Sequence, residues 1–264
     1  MLHPTTPRLE KILVCGEADS GKSSTWVSIA KWIVKTGSTA KVRVLDTDQA
    51  WDAMYDPSIE PAVEVVTSDR SECDTWPGVM QSFKKKSEPN DWIVIDMIDE
   101  PYEAAKGVFW QAKEGSTLAE VYLRNVTSEG FDMGGGYGRN WDAINRVYED
   151  MVGPFFSAPC HKLACTPAQE IWTDKQGLAA NKSDQTYVQF KYKPRGATRL
   201  AHKFHSILLA QKVPSGRGAE WLMTTMKERG PIGLPSREHL RGEPITANLG
   251  FVGSYLMKVA GWRL

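Results

Sequence analysis

At 264 residues, 41% of them hydrophobic, the chain can bury one full core but has no room for two large domains. Its 32 Lys and Arg residues balance 32 Asp and Glu residues, which excludes a global field pulling it toward DNA or an anionic membrane, so any polyanion site must be local. Cys15, Cys73, Cys160 and Cys165 lack the pairing of a zinc site and the density of a disulfide scaffold; with no apolar run of bilayer length, the expectation is a cytoplasmic protein without a membrane partner.

After a short lead over residues 1–10, "KILVC" predicts a strand running into a glycine-rich turn. From Lys22 to Lys35 the apolar residues Trp26, Ile29, Ala30 and Ile33 have the spacing of a helix packed on a sheet. "KVRVLDTD" predicts a second strand and "DWIVIDMID" a third, whose continuous apolar run suits a parallel strand buried on both faces. A helix is expected around Trp76 to Lys86, another from Pro101 to Ala112, and a loop at the glycine cluster Gly134 to Gly138. Helical spacing returns from Asn140 to Phe156, followed by a strand in "HKLACTPAQ". "FHSILLAQK" and "EWLMTTMK" then flank a polar turn as an antiparallel extension of the sheet. These elements predict a single α/β domain of three layers, with a mostly parallel sheet that ends in antiparallel strands.

"GEADSGKS" fits G-x-x-x-x-G-K-[ST] between the first strand and the first helix, where backbone N–H groups and a helix N-terminus can hold phosphates. The expected cradle is Gly16, Glu17, Ala18, Asp19, Ser20, Gly21, Lys22, Ser23 and Ser24. Lys22 would reach the β- and γ-phosphates of ATP, and Ser23 would ligate Mg²⁺. Asp96, ending the third strand, is the expected second carrier of the metal. Asp46 and Asp48 end the second strand, beside the phosphate loop at the ligand-binding edge of a parallel sheet. The residue after Asp96 is Met97, so a carboxylate pair at that position is missing.

The order of these parts resembles the RecA-like ATPases, in which a strand following the first helix ends in a carboxylate that activates water. That resemblance makes Asp48 the candidate base, with Asp99 and Glu100 competing. "TTMKERGPIG" is similar to the K-x-R-x-G element of RecA-like ring helicases and RadA-like proteins; carried over, Lys227 and Arg229 act on the γ-phosphoryl of a neighbouring subunit. Thr166 or Gln169 would sense the γ-phosphate. The chain from Lys11 to Gly233 is similar to small, core-only RecA-like proteins of phages, including Sak-type single-strand annealing ATPases. The resemblance implies ATP- and Mg²⁺-dependent recombination or annealing, a homo-oligomeric ring or filament, single-stranded DNA, and a single-strand-binding protein as a further partner.

Between Lys182 and Lys203 the cations Lys191, Lys193, Arg195, Arg199 and Lys203 lie among Tyr187, Phe190 and Tyr192. Cations follow a phosphate backbone and rings stack on bases, so the mixture suits a single strand. The same alternation also fits a β-hairpin with Tyr187, Gln189, Lys191 and Lys193 on a solvated face. A ring helicase or other DNA motor uses many of the same parts. A P-loop kinase, with Arg195 to Lys203 as its lid, and a nucleotide-dependent switch that does not act on DNA are the readings from other classes.

Overall fold

The computed structural model describes residues 3–4, 9–115, 137–196, 200–216, 218–228, 244–246, 250–257, 260 and 262–263. In chain order the strands and α-helices are β1 (His3–Pro4), β2 (Lys11–Gly16), α1 (Ser24–Lys35), β3 (Val42–Asp46), α2 (Ala50–Met54), β4 (Val63–Thr67), α3 (Trp76–Lys86), β5 (Trp92–Asp96), α4 (Asp99–Glu114), α5 (Tyr137–Ser157), β6 (His161–Glu170), β7 (Tyr192–Pro194), α6 (Leu200–Lys203), β8 (Ser206–Ser215), β9 (Gly218–Glu228), β10 (Pro244–Thr246) and β11 (Trp262–Arg263). The main sheet runs β10-β9-β8-β2-β6-β5-β3-β4, and β7 pairs with the end of β6. From β8 to β4 every pairing is parallel, while β9 and β10 add on antiparallel, as the sequence predicts.

Side chains alternate across a strand, and each strand of the parallel block feeds two cores. Ile12, Val14, Val44, Val94 and Leu163 meet α1 and the C-terminal helical turn at Val252–Met257 on one face. Leu13, Cys15, Leu45, Ile93, Ile95 and Ala164 meet α3, α4 and α5 on the other. β3 and β5 are buried along their whole length, which explains their unbroken apolar runs.

β6 and β5 lie between β3 and the strand of the glycine-rich turn. One expectation needs correction. The Lys182–Phe190 segment is a 3-10 helix rather than half of a β-hairpin, because Tyr187 and Phe190 pack onto the α3–α5 core, a contact strict alternation would not give them. Of the predicted glycine loop, Gly134 to Gly136 lie outside the described residues, while Tyr137 and Gly138 open α5.

At the end of the sheet where β2 begins, His161 stacks on Trp92 at 4.8 Å and meets Trp262 at 4.9 Å; its Nδ1 accepts the Glu10 backbone N–H at 3.0 Å. Burial first, then the Lys162 charge, lowers its pKa from 6.5 to about 3. The unfolded chain therefore takes up a proton near pH 6.5 that the folded chain refuses until about pH 3, and stability is lost as pH falls through that window. Unfolding in urea is expected to cost about 2 kcal/mol less at pH 5 than at pH 7 from this residue alone. A His161→Gln variant that shows the same pH slope as wild type would refute the assignment.

Candidate functional site

The turn after β2 is shaped by backbone demands. Gly21 has φ +83°, Asp19 φ +58°, and a Cβ on Gly16 would lie 2.3 Å from Ser20 Oγ and 2.5 Å from the Ala210 carbonyl. Only glycine lets β2 end this close to β8. The turn is held from both sides: Tyr192 donates to a Glu17 carboxylate oxygen at 3.0 Å, and Lys212 pairs with Asp19. Lys22 is buried, with Nζ donating to the Glu17 carbonyl at 2.7 Å, so its ammonium lies folded over the turn's own backbone. Ser23 precedes α1 without capping it, and its hydroxyl is turned to Asp96.

An open cleft of about 530 Å³ joins Gly16, Ala18, Asp19, Gly21, Lys22, Ser23 and Ser24 to Asp48, Met54, Met97 and Pro167. Asp48 thus reaches the turn across β6 and β5. It does so because β3 and β5 end in register, Asp46 opposite Asp96, and Thr47 ties the strand ends by donating to the Asp96 and Met97 carbonyls at 3.0 Å each. One carboxylate oxygen from each of Asp46, Asp48 and Asp96 lies within 4.8 Å of the others.

The three carboxylates have different occupations. Asp46 caps α2, accepting the N–H groups of Ala50 at 3.2 Å and Trp51 at 2.8 Å. Asp96 is fully buried; Oδ2 accepts the Trp26 indole N–H at 2.8 Å, while Oδ1 has no partner in hydrogen-bonding geometry. Burial raises its pKa, opposed by the Trp26 bond and by the nearby Ser23 hydroxyl and Cys165 thiol. Asp48 is exposed as a residue, but its carboxyl is half shielded from water against its neighbours, and that loss of solvent, then the charge of Asp96 and the contact with Asp46, raises its pKa to about 7. Crowded carboxylates of this kind either share protons or collect a cation, and an all-oxygen set suits a hard divalent ion.

The other predicted residues are dispersed. Gln169 is exposed beyond the cleft, its backbone opposite Lys193, and the neighbouring Thr166 is buried and donates to the Arg195 carbonyl at 2.9 Å. Glu100 takes both ends of the Arg70 guanidinium, and Asp99 is buried 3.8 Å from Arg195, its pKa raised to about 6 chiefly by burial; neither lines the cleft. Lys227 pairs across from Ile207, at the opposite end of the sheet from Gly16, and donates to the Ala201 and Phe204 carbonyls around the end of α6. Arg229 and Arg199 lie outside the described residues.

Of the predicted polyanion contacts, Lys193 pairs with Asp184 at 2.7 Å and Lys203 with Glu149 at 3.2 Å, while Lys191 is exposed at φ +61°. Tyr187, Phe190 and Tyr192 lean on the core instead of presenting their faces. The exposed ring here is Trp172, 80% accessible in the excursion after β6, beside exposed Lys175. Sequence reasoning passed over Trp172, and it passed over Trp26, whose apolar helix position hides the N–H that reaches Asp96. No protein-family profile matches the chain, and no curated protein matches it.

Proposed function

We propose that the chain is a P-loop ATPase that works on single-stranded DNA as an oligomer, in recombination or annealing. The observation that carries the reading is one cleft in which a glycine-rich turn, the buried Lys22, the Ser23 side chain and the Asp48 carboxylate converge, with buried Asp96 next to Asp48. The turn's N–H groups and the N-terminus of α1 would bind the phosphates, Lys22 would swing from the Glu17 carbonyl to them, and Ser23 and Asp96 would hold Mg²⁺. The ion would neutralise charge on the transferring phosphoryl. Asp48, with an open side toward the cleft, suits the base that orients water.

The oligomer half of this reading rests on the K-x-R-x-G resemblance alone: Lys227 lies at the far end of the sheet from its own Gly16 turn, its ammonium held by the Ala201 and Phe204 carbonyls. Trp172, 80% exposed in the stretch that also carries exposed Lys175, supports the DNA half as a ring open to base stacking. A nucleotide-driven switch that leaves DNA alone is the second reading, favoured by the ion pairs that already occupy Lys193 and Lys203.

Steady-state ATP hydrolysis measured against protein concentration, with and without single-stranded DNA, separates the two. The ATPase reading expects turnover per chain to rise with concentration, to increase with DNA, and to collapse in Arg229→Ala. Turnover indifferent to all three sinks the DNA-dependent oligomer.

A further inference from the structure

A second depression adjoins the cleft, and the two share Gly21 and Ser24 as a common wall. It measures about 200 Å³, below the roughly 300–1,000 Å³ of a drug-sized pocket, and Trp221, Leu222, Met223 and Phe251 supply its apolar lining. The β8–β9 hairpin builds it. Gly16 pairs with Ala210, and both strands continue past that level, so Lys212 and Trp221 stand opposite each other on a wall beside the turn.

Trp221 is 43% exposed, yet it is fixed. Its indole packs so closely on the turn that a Cβ on Gly21 would sit 3.3 Å from Cδ1. The Lys212 ammonium lies 5.5 Å from the ring centroid while also pairing with Asp19, tying wall and turn together. From the other side the depression is closed by Gly250, where φ is +66° and a Cβ would meet Ser28 Oγ at 2.8 Å, and by the fully buried Phe251. Ser20 also borders it, with its Oγ turned inward against Gly16. Apolar walls and a held aromatic ring, contiguous with the cleft of the glycine-rich turn, describe a seat for a flat heterocycle attached to a group bound there.

We propose that this slot seats the base of the bound nucleotide against Trp221 and selects purines by ring area instead of by the hydrogen-bonding pattern of their edge. The inference rests on the reading that the Gly16–Ser24 turn holds a triphosphate. Among the described residues that line the slot there is no carboxylate, carboxamide or cationic side chain to address the exocyclic groups that distinguish adenine from guanine. Strong rejection of a near-isostere needs a polar group that would be left unpaired, whereas apolar contact discriminates weakly. A two-ring base covers more of the indole than a one-ring base and stacks better.

The test is equilibrium binding of ATP, GTP, CTP and inorganic tripolyphosphate, with Mg²⁺, to the full chain as wild type, Trp221→Ala and Trp221→Phe. The expected result is ATP and GTP within about threefold of each other, CTP weaker, and both purines weakened about tenfold or more in Trp221→Ala, in line with the loss of one base–aromatic stack. Tripolyphosphate affinity should be unchanged by that substitution, and Trp221→Phe should recover most of the purine affinity. The slot is overturned if Trp221→Ala weakens tripolyphosphate as much as ATP, which would make the indole a brace for the turn. It is equally overturned if the substitution leaves ATP untouched, or if wild type binds tripolyphosphate as well as it binds ATP. Wild type that binds neither ATP nor tripolyphosphate overturns the triphosphate reading itself, and the slot with it.

Discussion

Lys22→Ala is expected to lower ATP turnover by a factor of at least about 10²–10³ while barely changing the fold, and Asp48→Asn to lower turnover similarly while leaving ATP affinity intact. The first figure is the scale for removing one preorganised group that stabilises charge in a transition state. Without ligand, the Lys22 ammonium has one visible task, donating to the Glu17 carbonyl, and losing such a bond costs about 0.5–1.5 kcal/mol. Binding and turnover should therefore fall far more than the urea midpoint. Asp48 differs because the cleft leaves its carboxylate open, whereas Asp46 is committed to the α2 N–H groups and Asp96 to Trp26. Isothermal titration with ATP and Mg²⁺ beside a steady-state phosphate-release assay checks both claims. An Asp48→Asn variant with wild-type turnover would remove Asp48 as the base.

The second large effect concerns stability alone. Arg43 projects from β3, a central strand, into a buried ion pair with Asp91 at 2.7 Å, and also reaches Glu64 at 3.2 Å. Asp91 accepts the backbone N–H groups of Lys41 at 2.7 Å and Glu88 at 2.9 Å as well. Asp91→Ala would leave the buried guanidinium with only Ser87 and half-exposed Glu64 and take the acceptor from two part-buried backbone N–H groups, and breaking one side of a buried pair typically costs about 3–5 kcal/mol. Replacing both charges should cost less than the sum of the single changes, since Arg43→Met removes the ion that Asp91→Asn leaves uncompensated while the asparagine carbonyl still accepts N–H groups. Urea unfolding of the four species in a double-mutant cycle measures this. Strict additivity would mean the two side chains do not depend on each other.

The sequence made the parallel strands legible because burial on both faces writes itself as the unbroken runs "VRVLD" and "WIVID". It made the glycine-rich turn legible because Gly16 has a mechanical cause, visible in the mere 2.5 Å that would separate a Cβ there from the Ala210 carbonyl. Strand order was not legible. That β6 and β5 would separate β2 from β3 is settled by pairings between distant segments, which leave no local pattern. Alternation misled at Lys182–Phe190, where tertiary packing of Tyr187 and Phe190 overrode the period of two. Trp26 and Trp221 escaped notice for a common reason: an indole reads as apolar in a pattern, and its N–H or its exposed face acquires meaning only when the fold brings a partner to it.

The place of β2 in the sheet also has a kinetic side. Although it precedes every other strand of the main sheet in the chain, its two neighbours, β6 and β8, come from the second half, with Val14 beside Cys165 and Cys15 beside Leu209. Such non-local pairings carry a large loop-closure cost and form slowly. Until both arrive, the Gly16 turn has no Pro167 or Ala210 to define its sides, so a nascent chain that has emerged only as far as α5 holds the whole phosphate motif and no site for a phosphate. Whatever the cleft binds, its affinity is gained only once these distant strands have paired, and a ligand that binds only the finished form pulls that step forward by mass action.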